Sequence, residues 1–117
     1  MPGLVTTPWG WHRLLAEGSG WRLKLLHVEA QHRTSLQTHA HRHEYWYAVE
    51  GEGTFWVGRR RFTSGDVLWT YIPAKRAHRI GGHAPQGITL VELQLSADGQ
   101  EITEGDLTRL EDDYHRQ

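Results

Sequence analysis

The sequence predicts a small all-β domain, a sandwich or barrel of seven or eight short strands followed by one short terminal helix. Three observations carry that reading. Runs rich in β-branched and aromatic residues fill most of the 117-residue chain. Glycine-containing turns separate them at intervals of roughly 8–12 residues. A helical pattern with capping residues occurs only near the C-terminus.

Taken in order, Trp21–Val28 (WRLKLLHV) and Ser35–His41 (SLQTHAH) read as strands. Glu44–Glu50 (EYWYAVE) is a third, and Gly51-Glu52-Gly53 turns it into Thr54–Val57. Gly58 and the arginines 59–61 make a basic turn, read as a solvated hairpin tip. Gly65-Asp66 opens a strand over Val67–Ile72, which Pro73 stops. After the Gly81-Gly82 loop, Gly87–Leu95 is the last long strand, with Val91, Leu93 and Leu95 on one face and Leu90, Glu92 and Gln94 on the other. Thr103 and Asp106 are capping residues for the expected helix, Leu107–Tyr114.

Length and charge narrow the function. A chain of 117 residues is expected to form one domain, residues 1–117, without disulfide staples. Lys and Arg number 13 against 14 Asp and Glu, which argues against neutralisation of a nucleic-acid backbone. With no cysteine, disulfides, thiolate metal sites and Cys nucleophiles are excluded. No apolar run approaches 18 residues and no charged-then-apolar leader is visible, so a cytoplasmic protein without a membrane partner is expected. Nine His and six Trp stand out. Imidazole is the common metal ligand and proton carrier, and indole offers flat apolar faces to sugars or partner surfaces.

Some of those histidines are organised. His39, His41 and His43 alternate, with Gln37 in phase before them. On an extended strand that places all four side chains on one face, roughly 6.5–7 Å apart for each step of two. Glu44 rejoins the group if the chain bends at Arg42-His43, which turns His43 away. His78, beyond the Pro73 break, is delivered by a returning strand. Neutral imidazoles with one carboxylate suit one divalent ion, Zn²⁺, Mn²⁺, Fe²⁺, Co²⁺ or Ni²⁺, and leave a coordination position for a substrate oxygen. The bland alternative is a solvated polar face. His12, His27, His32, His83 and His115 lack such company and read as structural or solvated.

The pattern His39-x-His41-x2-Glu44-x6-Gly51, then Gly65-Asp66 and Pro73-x4-His78, resembles the two cupin motifs. Pro8-Trp9-Gly10, the run 35–42 (SLQTHAHR), Glu44-Tyr45-Trp46, Tyr71-Ile72-Pro73-Ala74, His78-Arg79, Glu92-Leu93-Gln94 and the run 111–114 (EDDY) resemble type II mannose-6-phosphate isomerase. The resemblance runs from about Pro8 to Arg116. It is similar to the cupin domain that often forms the C-terminal part of a bifunctional isomerase/GDP-mannose pyrophosphorylase, here expected to stand alone. It implies a cupin β-barrel and metal-dependent interconversion of mannose 6-phosphate and fructose 6-phosphate. His39, His41, Glu44 and His78 would ligate the metal, with Gln37 a substitute or neighbour.

Several positions depart from the family. Thr7 replaces a basic residue before Pro-Trp-Gly, removing a candidate phosphate contact. Lys75 replaces the glycine after Tyr-Ile-Pro-Ala, and Ala30-Gln31 replaces a Pro-Gly turn. Tyr45 replaces the histidine the family usually carries beside the motif's Trp, removing a potential acid–base group. The stretch 67–70 is about one residue longer than usual, which suggests a bulge.

Aldose–ketose isomerisation moves a proton between C2 and C1 while the neighbouring carbonyl gains negative charge. Glu92 is the candidate base, against the reading of an exposed strand carboxylate, with Lys24 and His83 as alternatives. Arg42 and Arg79 are the candidate phosphate ligands, since each adjoins a metal motif and Arg binds phosphate in a fork. Trp46 either fills the core or floors a sugar site. Exposed strand edges and abundant Trp suggest a homodimer. Other metal-dependent cupin reactions, oxygenase or lyase, and a non-catalytic sugar-binding module are the competing functions.

Overall fold

The computed structural model describes residues 3–117. In chain order its strands are β1 (Leu4–Thr7), β2 (Gly10–Gly18), β3 (Trp21–Val28), β4 (Leu36–Thr38), β5 (Arg42–Gly51) and β6 (Gly53–Val57). They continue as β7 (Arg60–Thr63), β8 (Thr70–Ile72), β9 (His78–Gly82), β10 (Ile88–Ser96) and β11 (Thr108–Glu111). One antiparallel sheet runs β1-β2-β3-β10-β5-β8 and the other β11-β4-β9-β6-β7. Leu26, Val28, Trp46, Ile88 and Leu90 of the first sheet meet Phe55, Val57 and Ile80 of the second in one core. Among the described residues no helix is long and apolar enough to cross a membrane.

Period-two alternation decides what faces inward. β3 buries Lys24, Leu26 and Val28; β5 buries Arg42, Glu44 and Trp46; β10 buries Ile88, Leu90, Glu92 and Gln94. The register sets Ile88 opposite Val28, Leu90 opposite Leu26, and then Glu92 opposite Lys24. On the other side of β10, Glu92 pairs with Trp46 and Gln94 with Glu44. The interior is therefore apolar at one end and polar at the other. The polar face expected for the last long strand points into the barrel, while Val91, Leu93 and Leu95 lie half-buried outside it.

Turn chemistry holds these registers. Gly51 sits at φ +73° between β5 and β6, where an added Cβ would lie 2.0 Å from the Gly87 carbonyl oxygen. Only glycine fits there. Gln31 and Lys75, at two places where the resembled family carries glycine, keep left-handed backbones at φ +65° and +70°. The turn at Lys75 thus retains a glycine-like backbone, and its amide donates to the His39 carbonyl at 2.7 Å.

Several expectations are corrected. Gly81 and Gly82, expected as a loop, end strand β9, and Arg60 and Arg61, expected in a hairpin tip, begin β7. The tail forms no helix over Leu107–Tyr114; residues 108–111 pair with β4, setting Thr108 against Thr38 and Arg109 against Gln37. The short edge strand β4 gains a backbone partner that way, and Asp106 spends its carboxylate elsewhere, on the amides of Ala40 and His41. The expected strand over Val67–Ile72 is only β8, because Ser64–Asp66 winds into one 3₁₀ turn that leaves Leu68 and Trp69 exposed. Ser35–His41 is extended only over β4, since the chain bends at residues 40–41.

Candidate metal centre

Asp106 shapes the centre. Its carboxylate accepts from Ala40 N at 2.8 Å and His41 N at 2.9 Å, fixing the bend between β4 and β5. Before the bend His39 points in; after it β5 resumes with Arg42, Glu44 and Trp46 inward. His78 opens β9 and pairs with Gln37 of β4, which brings it to the same place. Ligand atoms of His39, Glu44 and His78 lie within 4.8 Å of one another, and all three residues are buried.

Hydrogen bonds fix both imidazole tautomers. A carbonyl only accepts, so His39 Nδ1 donates to Asp106 O at 2.8 Å and His78 Nδ1 donates to Arg76 O at 2.9 Å. Both Nε2 atoms lie beside Glu44, at 3.2 Å for His39 and 3.8 Å for His78. His78 Nε2 is buried without a hydrogen-bond partner. Burial, reinforced by the charges of Arg42 and His78, lowers the His39 pKa to about 4, so this ring is neutral near pH 7. Burial alone would raise Glu44; the charges of His78 and Arg42 and hydrogen bonds with Glu92 and Trp46 overcome it and hold the carboxyl below its ordinary range. Two imidazole lone pairs and a carboxylate converging on one buried spot suit a divalent cation of borderline softness.

The cluster opens into a pocket whose wall carries His39, His78, Trp46, Glu92, Lys24 and Gln37. Glu92 accepts from Trp46 Nε1 at 3.2 Å and from Gln94 Nε2 at 2.8 Å. Burial, with the neighbouring Glu44 charge, raises its pKa to about 7, so Glu92 exchanges a proton close to neutrality. Lys24, directly opposite it, is buried and pairs with Glu104. Trp46 fills the core, and it also lines the pocket. Gln37 accepts from Ser35 Oγ at 2.9 Å beside His78.

The remaining expected site residues divide between the pocket and other places. His41 is outside the cluster: the Asp106-held bend breaks the strand alternation, and its Nδ1 meets Asp98 at 2.6 Å with the side chain 41% exposed. Arg79 follows inward-facing His78 and so turns to the opposite side of β9, donating to Thr34 O at 3.1 Å. It does not line the pocket. Arg42 does line it, held by Glu44 and His39. His83 is engaged by Thr54 Oγ1 at 2.6 Å, away from the pocket. Tyr45 faces outward against Trp69 and Tyr71, so the replacement at this position takes no acid–base group from the pocket.

Sequence reasoning missed Arg109, Arg116 and His12, which all line the pocket. Arg109 belongs to the stretch expected to be helical and Arg116 follows it, and the pairing of β11 with β4 sets Arg109 opposite Gln37. The alternation of β2 was the available signal for His12, which sits opposite inward-facing Leu26. Arg109 Nε and Thr7 Oγ1 are buried pocket-wall atoms without partners.

Residues 3–112 match the family described as mannose-6-phosphate isomerase C-terminal. The chain belongs to this family. It is 29% identical over 106 residues to a mannose-1-phosphate guanylyltransferase of Sinorhizobium fredii, covering 91% of this chain and 20% of that protein. A putative mannose-1-phosphate guanylyltransferase of Vibrio cholerae is 32% identical over 111 residues, covering 90% and 22%. The chain spans about a fifth of the length of these curated relatives. Among solved structures, a cupin-2 domain protein of Rhodospirillum rubrum superposes with TM-score 0.69 at 20% identity, covering 91% of this chain and 80% of that one. Oxalate decarboxylase of Bacillus subtilis gives 0.73 at 17% identity, covering 92% and 29%. These likenesses establish the cupin fold of this member of the mannose-6-phosphate isomerase C-terminal family.

Proposed function

We propose that this protein is a metal-dependent aldose–ketose isomerase that interconverts mannose 6-phosphate and fructose 6-phosphate. The observation that carries the reading is the buried His39, Glu44 and His78 cluster opening onto the same pocket as Glu92, a carboxyl with a pKa of about 7. His39, Glu44 and His78 would hold the ion, with Gln37 beside them. A divalent ion there supplies Lewis acidity that polarises the sugar oxygens and stabilises negative charge developing on them.

The chain's own residues supply the rest. Glu92 takes the proton from C2 and returns it to C1, or the reverse, through one carboxyl oxygen. Its proton affinity suits both halves of that exchange at neutral pH. Lys24, facing Glu92 across the sheet, places an ammonium where negative charge builds on the substrate. Arg109 and Arg116, which line the pocket with Thr7, are the side chains that would bind the phosphoryl group. Arg79 is too far around the sheet to serve.

The protein also acts as a homodimer in this reading. Tyr47, Val49 and Tyr71 on the six-stranded sheet, with Leu68 and Trp69 in the loop that leads into β8, are exposed apolar side chains that a second copy would cover.

The test is incubation of zinc-, manganese- or cobalt-loaded protein with mannose 6-phosphate while fructose 6-phosphate is followed. Turnover supports the isomerase. Absence of turnover with all three metals rejects it; oxygen uptake with Fe²⁺, or saturable sugar binding without turnover, would then identify an oxygenase or a binding module.

A further inference from the structure

We infer that Arg42 is a resident counter-cation of the metal centre, and that a divalent ion can use His39 only by breaking the Arg42–His39 hydrogen bond. The inference rests on the metal centre proposed above.

Arg42 is 7% exposed. Its Nε donates to Glu44 Oε2 at 2.9 Å and its Nη2 to His39 Nε2 at 3.2 Å. A guanidinium has only donors, so His39 Nε2 is the acceptor. That agrees with the other side of the ring, where Nδ1 gives its proton to Asp106 O. The His39 nitrogen and the Glu44 oxygen, 3.2 Å apart, are both electron-rich, and Arg42 supplies the positive charge they share.

An imidazole nitrogen has a single lone pair, which can accept an N–H or bind a metal but cannot do both. A carboxylate oxygen has two acceptor positions. Cation binding must therefore release Arg42 Nη2 from His39, while Arg42 Nε can stay on Glu44. The arrangement ensures that buried Glu44 always faces a cation, which avoids the large cost of an uncompensated buried charge. It also sets the centre's affinity, because an incoming ion must displace a charge-assisted contact. The released Nη2 belongs to a residue on the pocket wall and becomes a free donor for an anionic oxygen of a ligand.

The experiment combines zinc titration of the wild type, followed by ¹⁵N NMR of arginine side chains, with zinc affinity measured against a chromophoric chelator. The Arg42 signals are assigned by their loss in Arg42→Lys. Expected results are movement of the Arg42 Nη2 signal in step with zinc occupancy and about tenfold tighter zinc binding by Arg42→Gln. Arg42→Gln should also be less stable without zinc than the wild type and recover with it. If Arg42→Gln does not fold, the wild-type titration alone decides. Zinc binding with unmoved Arg42 signals, or unchanged or weaker zinc affinity in a folded Arg42→Gln, overturns this inference and leaves the metal centre standing. Absence of any zinc binding overturns both.

Discussion

Glu92 on β10 and Lys24 on β3 are direct cross-strand partners with both side chains turned into the barrel. Inward-facing partners of this kind have Cβ atoms about 4.5–5.5 Å apart. A carboxyl with a pKa of about 7 thus shares one pocket wall with an ammonium group. Glu92→Gln keeps the size of the side chain and removes its proton exchange. It should lower kcat about 10²–10⁴-fold while bound metal is unchanged, as judged by mannose 6-phosphate turnover beside elemental analysis. In the metal-loaded wild type, kcat/KM should rise with pH as Glu92 ionises, because the base must be ionised to accept a proton.

The bend at residues 40–41 separates two histidines that look equivalent in sequence. His39→Ala and His78→Ala should each lose most bound metal after dialysis. His41→Ala should retain it, because that ring is engaged by Asp98 outside the cluster. Equal loss from His39→Ala and His41→Ala would place the ion elsewhere.

Arg109 and Thr7 both line the pocket, and Arg109 Nε and Thr7 Oγ1 are buried without hydrogen-bond partners. Arg109→Gln should raise KM for mannose 6-phosphate about tenfold with kcat little changed, the signature of lost ground-state binding of a charged group. Arg79→Gln should leave KM unchanged. Steady-state kinetics of the two variants separates a wall arginine from one on the far side of the sheet.

Hydrogen bonds from Arg116 lower the Asp112 pKa to about 2 from an ordinary 3.8. A carboxyl with a lowered folded pKa contributes stability that is fully present above pH 3.8 and is lost as pH falls through about 2. Asp112→Asn should therefore melt several degrees below the wild type at pH 7, with the gap closing towards pH 2. Thermal unfolding at the two pH values checks it. A gap that persists unchanged in acid would remove the ion pair as its cause.

The central strands β3, β5, β6 and β10 and the core of the metal cluster were legible because they rest on local pattern. Alternation placed Trp46 in phase with Glu44, and Pro73 marked the break before His78. What was illegible depended on distant partners. His41 keeps perfect strand spacing, yet a carboxylate 65 residues away bends the chain beneath it. Asp106 has the chemistry of a helix cap and caps a loop instead. Residues 108–111 gain more from completing the edge of β4 than from an isolated short helix, and that pairing carries Arg109 to the pocket. Glu92 was recognisable as a carboxylate on a polar face; only the register opposite Lys24 and Trp46 shows that face to be the interior.

The most direct measurement of the proposed chemistry uses mannose 6-phosphate deuterated at C2, followed by NMR with zinc-, manganese- or cobalt-loaded protein. Proton transfer by Glu92 requires the C2–deuterium bond to break. Fructose 6-phosphate should form more slowly than from the protonated sugar, with the label moved to C1 or lost to water. If no fructose 6-phosphate forms and the deuterium stays at C2 with all three metals, the pocket is not that of an isomerase.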